Sequence, residues 1–185
     1  MSNLLERLDN LRALIQQPDF LEGKGLGNEV NIRIFCYDPK REMAVRRFVE
    51  KLVTDQSLTC HVIEYNLYRV FLSICDGKRI TDRVARQEER KGKQFILDQM
   101  KRMANNTAFV NMMRYEPHNR GDVLLITGVG EAFPFIRVHA LLDAMQPCFS
   151  DVPVLVMYPG TYDGYYVKLF DRLAPNPYYR AFNVV

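Results

Sequence analysis

The stretch Gly121–Gly164, GDVLLITGVGEAFPFIRVHALLDAMQPCFSDVPVLVMYPGTYDG, sets two short apolar runs around a helical pattern. Val123–Ile126 and Val154–Met157 are rich in β-branched residues, and no polar residue alternates through either. Strands buried on both faces read this way. Phe135, Val138, Leu142 and Met145 recur at helical spacing between them. Pro134 predicts the first turn of that helix, where its missing N–H would be unpaired anyway. A strand, a crossover helix and a second strand imply a parallel pair, normally right-handed.

The rest of the chain extends the same pattern. Leu4, Leu8, Leu11 and Ile15 predict an amphipathic first helix, which Pro18 ends. Gly23–Gly27, GKGLG, precedes a strand rather than following one, and no Lys-Ser/Thr pair closes it. It reads as a connector, because a phosphate loop needs strand, loop and helix N-terminus in that order. Asn31–Tyr37 and Thr59–Tyr65 read as strands. Asp38 and Asn66 stand where helix caps belong. Val45, Phe48, Val49 and Leu52 form one helical stripe, and Leu67, Val70, Phe71 and Ile74 another. A short helix is expected over Val167–Leu173, and a fifth strand over Tyr178–Val185. The fold expected is α/β: a Rossmann-like three-layer α-β-α sandwich with a mostly parallel sheet of four to five strands. It has an N-terminal helix and a long charged helical arm, 78–113, all within one domain, 1–185.

Composition narrows the function classes. A net charge of +3 over 185 residues does not demand a nucleic-acid partner. No apolar run approaches the ~20 residues of a membrane helix. MSNLLERLDN carries charges inside its apolar pattern and does not read as a signal peptide. Cys36, Cys60, Cys75 and Cys148 are far apart and form no CxxC pair, which fits reduced thiols in the cytoplasm. Three scattered histidines, His61, His118 and His139, give zinc no ligand set. His139 is expected in the core.

Charge is concentrated in the arm. Lys78 to Arg102 holds nine basic residues against four acidic ones, a larger excess than that of the whole chain. Arg79, Arg83, Arg86, Arg90, Lys91 and Lys93 carry its first part. Two readings stay open: a solvated helix face, or a docking surface for an acidic partner or nucleic acid. Aromatics are missing between Lys78 and Gln94, so the arm offers no base-stacking platform.

In an open parallel sheet, ligands bind beyond the carboxyl ends of the strands. Asp38, Asn66, Gly128, Gly130, Glu131 and Asp163 converge there as a candidate cleft. Gly128-Val129-Gly130 has the strand-turn-helix context of a nucleotide loop, but Phe133 replaces the third glycine and no Walker lysine appears. Two carboxylates and a metal could hydrolyse phosphate esters. Yet Asp38 reads equally as a cap, Glu131 as a helix-dipole partner and Asp163 as a turn residue. No catalytic, cofactor or metal residue is assigned. Tyr162, Tyr165, Tyr178, Arg172 and Arg180 crowd the C-terminal quarter, where residue types of protein–protein hot spots meet.

Three motifs resemble a known family: LLITGVGEAFPFIRVHALL (Leu124–Leu142), VPVLVMYPGTYDG (Val152–Gly164) and NPYYRAF (Asn176–Phe182). With LLERLDNLRALI and FCYDPKREMAVRRFV they resemble the BrxB family of bacteriophage-exclusion (BREX) loci. The resemblance implies a part in phage defence and in host DNA methylation. It implies no catalytic residue and no cofactor. It suggests a non-enzymatic adaptor whose partners are the phosphatase-like PglZ, the ATPase BrxC and, third, the methyltransferase PglX. The alternatives are a DNA-binding component using the basic arm, or a nuclease or nucleotide hydrolase with a degenerate cleft.

Overall fold

Apolar runs without polar alternation fill the middle of the sheet. A computed structural model describes residues 3–23, 31–163 and 165–174, and the backbone of 176–177 and 182–183. Strands β1 (Ile32–Tyr37), β2 (His61–Asn66), β3 (Asp122–Thr127) and β4 (Val154–Tyr162) pair in parallel in the order β2-β3-β4-β1. A short strand, Phe182–Asn183, extends β1 in parallel and completes a five-strand path.

Side chains alternate between two faces, as the pleat requires. Ile34, Leu124, Ile126, Val154 and Val156 share one core with helices α4 (Leu67–Gly77), α7 (Asn106–Met113) and α9 (Val138–Met145). Phe35, Val123, Leu125, Leu155 and Met157 share the other with α1 (Leu4–Leu14), α2 (Pro18–Leu21) and α3 (Glu42–Thr54). Helices therefore cover both faces of the sheet. The buried stripe of α3 is Val45, Val49 and Leu52, and that of α4 is Leu67, Val70, Phe71, Ile74 and Cys75.

The charged segment is helical in pieces: α5 (Val84–Lys91), α6 (Lys93–Met103) and α7. Gly92, at φ 83°, separates the first two, a conformation glycine adopts without steric cost. Neither α5 nor α6 has a buried residue, whereas α7 buries Phe109, Val110 and Met113.

Two expectations are corrected. Pro134 does not open the crossover helix, which begins at Val138. It follows a four-residue helix, α8 (Val129–Ala132), in a turn where the amides of Phe135 and Ile136 both donate to Ala132 O. Phe135 leaves the helical stripe to stack on Phe71, with ring centroids 4.0 Å apart. Val167–Leu173 does not form a helix. Strand β5 (Tyr166–Leu169) instead runs antiparallel to β4 and pairs in turn with β6 (Asn176–Pro177). Val167 and Leu169 are buried and alternate with Tyr166 and Lys168, which is the strand period rather than the helical one.

The four cysteines are free, with Cys148 the least buried. His139 is half-buried in α9, where burial pushes its pKa down. Among the described residues no helix is long and apolar enough to cross a membrane.

Candidate functional site

A small cleft opens at the carboxyl ends of β1, β2 and β3, beside the middle of β4. Tyr37 closes β1, Asn66 closes β2, Thr127 closes β3, and Met157 lies within β4; all four line it, with α3 as one wall. Its volume is about 130 Å³. Small-molecule sites usually hold roughly 300 Å³ or more.

Sequence reasoning placed Asn66 and Gly128 here, and the structure brings them together. Asn66 Oδ1 accepts from the amides of Tyr68 and Arg69 and caps α4. Gly128 has φ 68° and begins α8. A Cβ there would stand 2.6 Å from Asn66 Oδ1, so this glycine is required twice, by backbone and by space. Gly130 is required by space alone. A Cβ on it would stand 2.7 Å from Phe170 Cε1 and 3.3 Å from Pro159 Cγ. The Phe170 ring thus rests on the turn that resembled a nucleotide loop.

Three carboxylates expected here have partners of their own. Asp38 accepts from the Lys40 amide and caps a 3-10 turn, Pro39–Arg41. Asp163 accepts from the amides of Tyr165 and Tyr166 at the hairpin between β4 and β5. Glu131 pairs with Arg46 at 2.9 Å. Among the described residues no three of His, Cys, Asp and Glu are grouped to hold a metal ion.

The cleft's polar network comes from side chains the sequence did not single out. Tyr37 Oη donates to Glu42 Oε2 at 2.6 Å, and Arg46 Nε donates to Glu42 Oε1 at 2.9 Å. Thr127 Oγ1 donates to Glu64 Oε1 at 2.5 Å. Burial, then the Glu42 bond, pushes the Tyr37 phenol far above its usual range. Arg46 is held more firmly protonated, chiefly by its bond to Glu42. The signal available was the Glu42–Arg46 spacing on α3, which puts both side chains on one helix face. The network joins carboxylates to their own cations and hydroxyls. In the lining Glu42, Glu50 and Glu64 stand beside Arg46 and Arg69.

Other predicted residues lie elsewhere. Tyr165 is 71% exposed at the hairpin tip, Tyr162 is half-buried, and Arg172 is exposed. Arg79, Arg83, Arg86, Arg90, Lys91 and Lys93 are all exposed. Tyr178 and Arg180 lie outside the described residues, as do residues 24–27 of the glycine-rich segment.

A groove that the sequence did not reveal runs between α1 and α3. Leu5, Leu8, Phe48 and Leu52 give it an apolar floor, and Arg47 and Lys51 stand on the α3 wall. Its volume is about 570 Å³. Arg12, on the α1 side, is committed to Asp55 at 2.6 Å.

Comparison with known proteins places this architecture. The family model described as BREX protein BrxB matches residues 63–184. A BREX protein BrxB of Bacillus cereus (strain H3081.97) is 38% identical over 192 residues, covering 100% of this chain and 99% of the relative. Another, of Escherichia coli O9:H4 (strain HS), is 28% identical over 184 residues, covering 97% of this chain and 90% of its own. No solved structure matches the chain. Motifs, family model and full-length relatives agree: the chain belongs to the BrxB family of BREX phage-defence proteins.

Proposed function

We propose that this chain is a non-enzymatic adaptor that assembles other BREX proteins and supports host DNA methylation and phage exclusion through them. The observation that carries this reading is the groove between α1 and α3. Leu5, in its lining, is 62% exposed. Apolar area left open in this way loses the burial that would stabilise it, unless a partner covers it. Arg47 and Lys51 repel each other at i,i+4 spacing, and among the described residues neither has a carboxylate within 4.0 Å. An amphipathic helix whose acidic residues face Arg47 and Lys51 on the α3 side, away from Asp9 on the α1 side, fits both features. The resemblance nominates the phosphatase-like PglZ and the ATPase BrxC as its sources, and the methyltransferase PglX third. The small, self-satisfied cleft supports the non-catalytic part of the reading.

Size-exclusion chromatography of the full chain with each candidate partner tests it. Co-elution at micromolar concentration is expected, and Leu5→Asp with Arg47→Glu, both exposed in the groove, should weaken it at least tenfold without changing the circular dichroism. Partners that stay separate overturn the adaptor reading. So does turnover of a phosphodiester or nucleoside triphosphate that stops in Glu64→Gln or Glu131→Gln. Association that ignores the double substitution leaves an adaptor but removes the groove from it.

A further inference from the structure

The arm helix α5 packs on α6 without sealing a core. None of its residues is buried. Arg83, Arg86, Arg90 and Lys91, with Gln87, line a shallow basin of about 320 Å³, and no carboxylate is in the lining. Among the described residues none of these four cations has an acid within 4.0 Å. Asp82, Glu88 and Glu89 belong to the same segment but do not face the basin. Four cations around one hollow repel each other, and an anion would relieve that repulsion.

The geometry indicates which anion. Arg86 and Arg90 lie one turn apart on α5, and Arg83, which ends the 3-10 turn Thr81–Arg83 just before it, lines the same basin. At ~1.5 Å per residue the row spans about 10 Å. About 10 Å of duplex axis carries three phosphates of one strand. Its five lining residues are charged or amide side chains whose stems supply the apolar surface, so the basin itself holds no aromatic or aliphatic side chain of the kind that anchors a protein interface. Nor can it stack bases. Phe95, the nearest aromatic in sequence, has Lys91 Nζ over its ring at 4.5 Å. Contacts of this kind position a duplex without reading it.

We infer that the basin of Arg83, Arg86, Arg90 and Lys91 binds the phosphodiester backbone of a nucleic-acid duplex without sequence preference. This goes beyond the adaptor reading and does not depend on it.

Fluorescence anisotropy of the full chain with labelled 20-base-pair duplexes tests the inference. Two unrelated DNA sequences should bind alike. Four phosphate contacts give a slope of about −3.6 in log K against log salt, so affinity should fall on the order of 100-fold between 50 and 200 mM salt. Duplex RNA run in parallel distinguishes the two sources of the backbone, and either supports the site. Arg83→Gln/Arg86→Gln/Arg90→Gln should weaken binding at least tenfold and flatten the slope by about three. Lys101→Gln/Arg102→Gln, on α6 and away from the basin, should bind like the parent. These are exposed positions, and unchanged circular dichroism confirms folding. Absence of binding at 50 mM salt, a preference for single strands, or indifference to the triple substitution overturns the inference. Displacement of the duplex by polyglutamate at equal charge also overturns it and assigns the basin to an acidic protein.

Discussion

Arg46 Nη2 stands 2.9 Å from Glu131 Oε1, while its Nε holds Glu42 Oε1 at the same distance. One guanidinium therefore ties α3 to α8 across the carboxyl ends of the strands. Arg46→Ala leaves two carboxylates without their cation. Both are partly exposed, so the expected loss is about 1 kcal/mol at low salt and less in 1 M salt. Urea midpoints at the two ionic strengths measure it. A loss that salt does not reduce would show that packing, not charge, is what Arg46 supplies.

Gly130→Ala should destabilise by about 1–3 kcal/mol, because the added methyl meets the Phe170 ring at 2.7 Å. Phe170→Ala alone should also destabilise, by uncovering the turn. The two changes together should cost less than their sum, since the second removes what the first collides with. Thermal unfolding of the four proteins completes the cycle. Simple additivity would mean that the two residues do not press on each other.

Asp122 is only 2% exposed at the start of β3. Burial raises its pKa, but the Asn119 amide, His61 and Tyr115 outweigh burial and hold it below the usual carboxylate value. A depressed carboxylate contributes stability above its unfolded pKa, about 3.9, and loses it as pH falls through the lower folded value. Asp122→Asn turns an amide N–H₂ toward groups that donate. It should cost about 1–3 kcal/mol at pH 7. The gap from the parent should narrow below pH 4, as followed by urea denaturation across pH. A gap that stays constant down to pH 2 would mean the charge on Asp122 is not what matters.

Thiol labelling should separate the cysteines. Burial pushes the Cys36 thiol up to about 12, and it raises those of Cys60 and Cys75 as well. At pH 8 these three are neutral and shielded, so they should react only after unfolding. Cys148, the least buried, should be modified first. Mass mapping after brief exposure to Ellman's reagent decides the order, and early labelling of Cys36 would contradict it.

The sheet was legible because Val123–Ile126 and Val154–Met157 are apolar without alternation, as strands covered on both faces are. Asn66 and Asp38 were legible as caps because capping needs one side chain and the next few amides, all local. Pro134 misled because its ring suits a helix start in sequence, while Phe71, more than sixty positions earlier in the chain, draws Phe135 away. The segment from Val167 to Leu173 is short enough for either period, and pairing with β4 decided it. The cleft's own network was not legible. Arg46 reaches Glu131, and Thr127 reaches Glu64, only after α3 has packed on α8 and β2 on β3. The groove between α1 and α3 was hidden for the same reason, since it belongs to neither helix alone.

Strand β4 runs unbroken from between β3 and β1 into the hairpin whose tip carries the exposed Tyr165. No loop intervenes to absorb a displacement. Anything that grips the exposed tyrosine tip pulls on the molecule's central beam, so strain imposed at that outer handle is felt along the whole floor of the scaffold.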